Sequence, residues 1–143
     1  MTDREYPGLP RLGAGALVIK DESALLVRRG RPPGQGLWAL PGGMVMLGET
    51  LQQTVEREIK EETGITIEAG DPFYVFDFIE RDRKDRVLYH YVIVDLWGQY
   101  KSGEPHGTDD AADARWFARE ELPKTDISQP TLKLLGLVGF TET

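Results

Sequence analysis

Residues 43 to 65, G-M-V-M-L-G-E-T-L-Q-Q-T-V-E-R-E-I-K-E-E-T-G-I, constrain the fold of this chain more than any other segment. Thr50 followed three positions later by Gln53 has the form of a capping box, and Gly64 stands where a left-handed C-terminal cap is expected. The spacing therefore predicts one helix from Thr50 to Thr63. At about 100° per residue, Leu51, Val55 and Ile59 form an apolar stripe, while Gln52, Gln53, Glu56, Lys60 and Thr63 gather on the opposite, solvated side. Glu62 falls within the apolar stripe, Glu58 at its edge and Glu61 further round the same flank. Acidic runs usually make a solvated face, but here that face is already occupied by other residues. Three carboxylates turned toward the protein body repel one another and lose hydration, at a cost of several kcal/mol unless protons or cations compensate. Hard oxygen ligands of this kind suit Mg2+ or Mn2+, which bind through a few carboxylates plus substrate phosphate oxygens.

A chain of 143 residues with 40% hydrophobic content supports one domain with a sizeable core, so residues 1–143 are read as a single domain. With no cysteine there is no disulfide framework, no thiolate nucleophile and no cysteine-type zinc site. The N-terminus is polar and no apolar run approaches membrane-spanning length, so the expectation is a cytoplasmic protein with no membrane partner. A net charge of -7 argues against binding a nucleic-acid polymer, whose phosphate backbone attracts a basic surface. A small phosphorylated substrate stays open, because a metal cluster inverts the local field and Arg28, Arg29 and Arg31 concentrate positive charge just before the glycine-rich turn. Those arginines are equally explicable as ordinary solvated positions at a strand end.

The remaining pieces point to a mixed α/β fold. Gly13 to Lys20 and Ala24 to Arg29 read as two strands of a hairpin around Asp21-Glu22-Ser23, and 31–36 is a Pro/Gly loop. Trp38-Ala39-Leu40 leads into the Pro41-Gly42-Gly43 turn. Phe73 to Glu80, Val87 to Trp97 and Ala114 to Phe117 read as further strands, the first two joined by a charged hairpin loop at 81–86. Ser128-Gln129-Pro130 signals a second helix start, with Leu132, Leu135 and Val138 at helical spacing. Trp38, Tyr74, Phe76, Trp97 and Trp116 are read as core rather than as stacking platforms, and His90 and His106 are given no catalytic role.

The segment 43–65 also matches, without a mismatch, the pattern G-x5-E-x7-R-E-U-x-E-E-x-G-U (U aliphatic). Average residue usage makes a chance match roughly a once in 10^7 to 10^8 event for chains of this length. By this pattern the chain resembles the Nudix hydrolases. The run G-L-W-A-L-P-G-G before it and D-D-A-A-D-A-R-W-F-A-R-E-E-L after the long strands are similar to the flanking elements of that family. The resemblance implies an α/β/α sandwich around a mixed sheet, and metal-dependent hydrolysis of a nucleoside diphosphate linked to another moiety. It implies Glu58, Glu61 and Glu62 as metal ligands, the Gly42 carbonyl as a backbone ligand, and Arg57 with Glu49 as a supporting ion pair. The carboxylate that activates water is either Glu58 or an acidic residue in a later loop, where Asp110 is the best match and Asp109 the second. Gly42 and Gly43 are explicable as positions where the backbone itself approaches a cation or substrate. A homodimer is a family-level expectation.

The lead-in R-R-G-R-P-P-G-Q-G-L-W-A-L-P-G-G is similar to that of ADP-ribose pyrophosphatases, which makes ADP-ribose the leading substrate expectation, giving AMP and ribose 5-phosphate. The proline that many ADP-ribose hydrolases carry beyond the box is absent, Glu80 and Arg81 occupying that region. The runner-up is pyrophosphate release from a (d)NTP or an oxidised nucleotide. A third reading, from another class, is a nucleotide sensor without turnover, which has no need of all three glutamates.

Overall fold

Side-chain alternation along one central strand sets the layers of this protein. The computed structural model describes residues 4–108 and 111–141, and its first strand, β1 (Arg11–Lys20), turns Ala14, Ala16 and Val18 to one face and Leu17 to the other. On the first face these residues pack with Val55 and Ile59 of helix α1 (Leu51–Thr63), and with Leu25, Ile65, Ile67 and Leu96. On the second face Leu17 joins Ala24, Leu26, Phe117 and Leu122, with Leu134 and Leu135 of helix α2 (Gln129–Leu137). A sheet with one helix on each face is the α/β/α arrangement expected from the sequence.

The seven-stranded sheet adds β2 (Ser23–Arg29), β3 (Trp38–Ala39), β4 (Gly42–Met44), β5 (Thr66–Arg81), β6 (Val87–Ser102) and β7 (Ala111–Ala118). Strands run in the order β3-β2-β1-β6-β5, with β4 also on β1 and β7 on β2. β1 and β6 are parallel, Gly15 lying opposite Asp95, while the other pairings are antiparallel. The anticipated hairpin is present, with Ile19 opposite Ala24 across Asp21-Glu22. A short 3-10 helix, Arg119–Lys124, precedes α2. Among the described residues no helix is long and apolar enough to cross a membrane.

Several expectations need correction, β7 among them, which starts at Ala111 rather than Ala114. β5 begins at Thr66 rather than Phe73, because its place at the sheet edge tolerates the register shifts around Gly70-Asp71-Pro72 that the sequence suggests as a break. β6 continues to Ser102, and Trp97 on it is 43% exposed and stacked on Phe73 at 4.1 Å instead of buried in the core. Helix α2 is present where the spacing of Leu132 and Leu135 predicts it, ends at Leu137, and buries Thr131, Leu134 and Leu135. Thr63, assigned to the solvated side of α1, is fully buried; its hydroxyl donates to the Ile59 carbonyl and accepts from the Ile65 N–H, tying the helix end to β5.

The start of α1 follows the sequence closely. Thr50 Oγ1 accepts from the Gln53 N–H at 3.0 Å and Gln53 Oε1 accepts from the Thr50 N–H at 2.9 Å, closing the capping box. Gly64 takes the left-handed conformation (φ 80°) that ends the helix, and a Cβ there would meet the His106 ring at 2.9 Å. Thr50→Ala removes one half of the box, and urea unfolding is expected to show a loss of about 1 kcal/mol. An unchanged midpoint would mean that the cap does not limit stability.

Candidate active site

Arg57 organises the polar end of α1. Its guanidinium donates through Nε to Glu49 Oε2 at 2.7 Å and through Nη2 to Glu49 Oε1 at 2.9 Å, a two-pronged pair that fixes the plane of the fork. Nη2 also reaches the Met44 carbonyl at 3.2 Å, and Nη1 reaches Glu58 Oε1 at 2.5 Å and, more weakly, Glu61 Oε2 at 3.4 Å. One cation thus ties the loop before the helix, strand β4 and two of the three glutamates. The hydrogen bond from Arg57 holds the Glu49 carboxyl down at about 2, and the same pairing raises the already high pKa of Arg57. The Arg57–Glu49 pair implied by the resemblance is present, and it is much tighter than the helical i,i+4 contact to Glu61.

Glu62 is 9% exposed, and its Oε1 accepts from the Gly42 N–H at 3.0 Å, pinning the glycine turn to the helix. Gly43 is glycine because of crowding: a Cβ at this position would collide with the Glu58 carboxyl. Glu58 and Glu62 share the wall of a small cavity of about 40 Å3 with Gly42, Gly43, Met44, Arg4, Arg29 and Arg31. Glu61 lies outside that wall on the exposed flank. The donor set of hard carboxylate oxygens fits Mg2+ or Mn2+. Among the described residues no three acidic or histidine side chains converge tightly enough to grip a cation, and Arg57 Nη1 lies in contact with both Glu58 and Glu61. A bound cation would be held by Glu58, Glu61 and Glu62, two of which already share the Arg57 guanidinium.

The two arginines before the turn separate. Arg29 faces the cavity, donating Nε to the Pro33 carbonyl at 2.5 Å, and its burial lowers its pKa against the opposing pull of Glu62. Arg28 is exposed and lines neither this cavity nor the larger one beside it, as alternation along β2 requires. Asp109 and Asp110 lie outside the described residues. Thr108, which precedes them, donates its N–H to the Glu62 carbonyl at 3.0 Å and its hydroxyl to the Glu61 carbonyl.

A second cavity, about 430 Å3, adjoins the first and shares Arg4, Arg29, Gly42, Gly43 and Met44 with it. It opens between the sheet and the start of α2, with Phe76, Phe78, Tyr91, Ile93 and Asp95 on the sheet side. Asp95 is 4% exposed, and burial alone pushes its carboxyl up to about 7. The Tyr91 hydroxyl is also buried, without a hydrogen-bond partner among the described residues. Asp95, Tyr91, Phe78 and Arg4 are absent from the site expected from the sequence. Asp95 alone carries a signal there, as one acid inside the apolar run Val92-Ile93-Val94-Asp95-Leu96-Trp97.

A sequence model of the NUDIX domain matches residues 9–135. The chain is 37% identical over 115 residues to an ADP-ribose pyrophosphatase of Methanocaldococcus jannaschii, covering 80% of this chain and 66% of that protein. It therefore spans just under two thirds of that enzyme's length. It is 31% identical over 135 residues to the nucleoside triphosphatase NudI of Escherichia coli, covering 87% and 93% of the two chains. Among solved structures, a MutT NUDIX hydrolase from Burkholderia pseudomallei superimposes with a TM-score of 0.78 at 34% identity, covering 91% of this chain and 98% of the other.

The raised Asp95 pKa gives a prediction of definite sign. From its ordinary 3.8 up to about 7 the folded protein holds a proton that the unfolded chain has released, so this contribution to stability is full below 3.8, declines with rising pH and levels off above 7. Asp95→Asn removes the decline. Urea unfolding is expected to show the variant gaining on the wild type by a few kcal/mol between about pH 4 and about pH 8. Parallel pH profiles for the two proteins would contradict a buried, partnerless carboxyl.

Proposed function

The chain belongs to the Nudix hydrolase family, and on that premise we propose that it hydrolyses the diphosphate bond of a nucleoside diphosphate linked to another group, with ADP-ribose as substrate and AMP and ribose 5-phosphate as products. The observation that carries this reading is the pairing of Glu58 and Glu62 on the wall of a small polar cavity that runs into a larger, mostly apolar one. Two cavities of such different chemistry suit a substrate with a diphosphate at one end and a nucleoside at the other.

In this mechanism the chain contributes position and charge. Arg29 and Arg4, at the rim common to both cavities, draw the anionic diphosphate toward the glutamates. Glu62 keeps the Gly42–Gly43 turn against α1, so the backbone lies beside the reacting phosphoryl group. Bound Mg2+ or Mn2+ would be held by Glu58, Glu61 and Glu62, neutralising phosphate oxygens and acidifying a water molecule. Glu58 orients that water and takes its proton, while Arg57 positions the carboxylates without touching substrate. Asp110 is the alternative base, a role supported by the anchoring of Thr108 to the backbone of Glu61 and Glu62. Water then attacks one phosphorus, the bridging P–O bond breaks, and the proton ends on the departing phosphate or solvent.

The likeness to a nucleoside triphosphatase over 93% of its length favours pyrophosphate release from a (d)NTP as the second reading. Incubation with Mg2+ and a panel of ADP-ribose, other nucleotide sugars and (d)NTPs, followed by chromatography, decides between them. AMP plus ribose 5-phosphate is the expected outcome; pyrophosphate from a triphosphate would replace it with the second reading. Measurable nucleotide affinity with no turnover of any compound would instead mark a sensor.

Glu61→Gln or Glu62→Gln is expected to lower metal-dependent turnover by about 100-fold or more with the circular dichroism spectrum intact. Full activity in either variant would remove that residue from the ligand set. Asp110→Asn separates the two bases: an unchanged rate leaves Glu58 in that role.

A further inference from the structure

On the far side of the larger cavity from the glutamates, the sheet carries a group that hydrolysis of a diphosphate does not use. Strand β6 points Tyr91, Ile93 and Asp95 at the cavity, and beside Asp95 the neighbouring strand offers Gly15, which has no side chain. A Cβ at Gly15 would stand 2.7 Å from Asp95 Oδ1. Glycine here leaves the carboxyl its space while the wall around it stays apolar, with Leu40 close by and Phe76 opposite Ile93 across the strand pair. Beyond its backbone pairing in the sheet, the Asp95 carboxyl has no hydrogen bond or ion pair with another described residue, and desolvation is what raises its pKa. Nothing within the described chain offsets the desolvation of a carboxyl left this way. Such groups are kept where a ligand supplies the partner.

The position also fits. Gly42, Gly15 and Asp95 form one row across β4, β1 and β6, so at about 4.8 Å per strand Asp95 lies roughly 10 Å from the glycine turn. That separation suits a nucleoside 5'-phosphate, phosphate at the turn and base edge at Asp95. The walls offered by Phe76, Phe78, Leu37 and Leu40 suit the faces of a flat ring better than a hydroxylated sugar.

We propose that Asp95 is the base-holding residue of this site, its carboxyl hydrogen-bonding the 6-position and the neighbouring ring nitrogen of a bound purine. This deepens the functional reading above and rests on it for the placement of the phosphates. A protonated carboxyl presents a carbonyl oxygen and an O–H side by side, and its proton can sit on either oxygen. It therefore pairs with the amino group and ring N1 of adenine, and equally with the oxygen and N1–H of a 6-oxo purine.

Calorimetric titration of AMP and of ribose 5-phosphate, which lacks the base, into the wild type, Asp95→Asn and Asp95→Leu tests this without requiring turnover. The wild type is expected to bind AMP at least about tenfold more tightly than ribose 5-phosphate. Asp95→Asn, which keeps an acceptor and a donor side by side, is expected to retain AMP affinity within a few-fold. Asp95→Leu, checked for folding by its melting curve, is expected to lose about tenfold or more for AMP while ribose 5-phosphate binds as it does to the wild type. Unaltered AMP affinity in Asp95→Leu, an equal loss for ribose 5-phosphate, or no binding of AMP would overturn the assignment. Absence of Mg2+-dependent hydrolysis alongside an intact, Asp95-dependent AMP affinity would overturn the hydrolytic reading and leave Asp95 as the base-holding residue, so the two failures are distinct.

Discussion

Arg57 is the constraint on which the polar half of this molecule depends. A helix that turns Glu58 and Glu62 toward its own fold and carries Glu61 on its exposed flank must offset the repulsion among these carboxylates, and one guanidinium meets Glu58, Glu61, Glu49 and the Met44 carbonyl at once. Lysine, a compact point charge, has no planar fork with which to grip Glu49 through two nitrogens while reaching the others. The glycine turn is locked to α1 from the opposite side by the buried Glu62 on the Gly42 N–H. Helix and turn are therefore cross-linked by two polar contacts of opposite sign, which hold Glu58 and Glu62 in place in the folded protein.

The apolar half follows simpler rules. Val55 and Ile59 are fully buried, each contributing on the order of 1.5–3 kcal/mol by leaving water. They fix the rotation of α1 about its axis, and with it the direction of every glutamate on the helix.

Much of this was legible because it is local. The capping box at Thr50 and Gln53, the left-handed Gly64 and the stripe of Val55 and Ile59 depend on residues within a few positions of one another, and each stands where the sequence puts it. What escaped depends on partners distant along the chain. Thr63 lies on the polar side of an isolated helix, but the strand that follows folds back over it and His106 donates its N–H to the Thr63 carbonyl. Phe78 and Tyr91 meet through a hairpin register that no short-range pattern specifies, and Asp95 faces a cavity because β1 runs parallel beside β6 with glycine at the facing position. Arg28 and Arg29 are indistinguishable as a pair in the sequence; pleating sends one to solvent and the other to the site.

The parallel pairing of β1 with β6 carries one further implication. Helix α1, with its glutamates, is seated on one face of the sheet, and the cavity holding Asp95 opens on the other, the two meeting at the strand Gly42–Met44. A change at Asp95 or Gly15 alters the floor of the cavity without disturbing the packing of Val55 and Ile59. The sheet thus acts as a partition between the side of the molecule that carries the glutamate helix and the side that carries the larger cavity. Substitutions on one side of such a partition are free to accumulate while the other stays fixed.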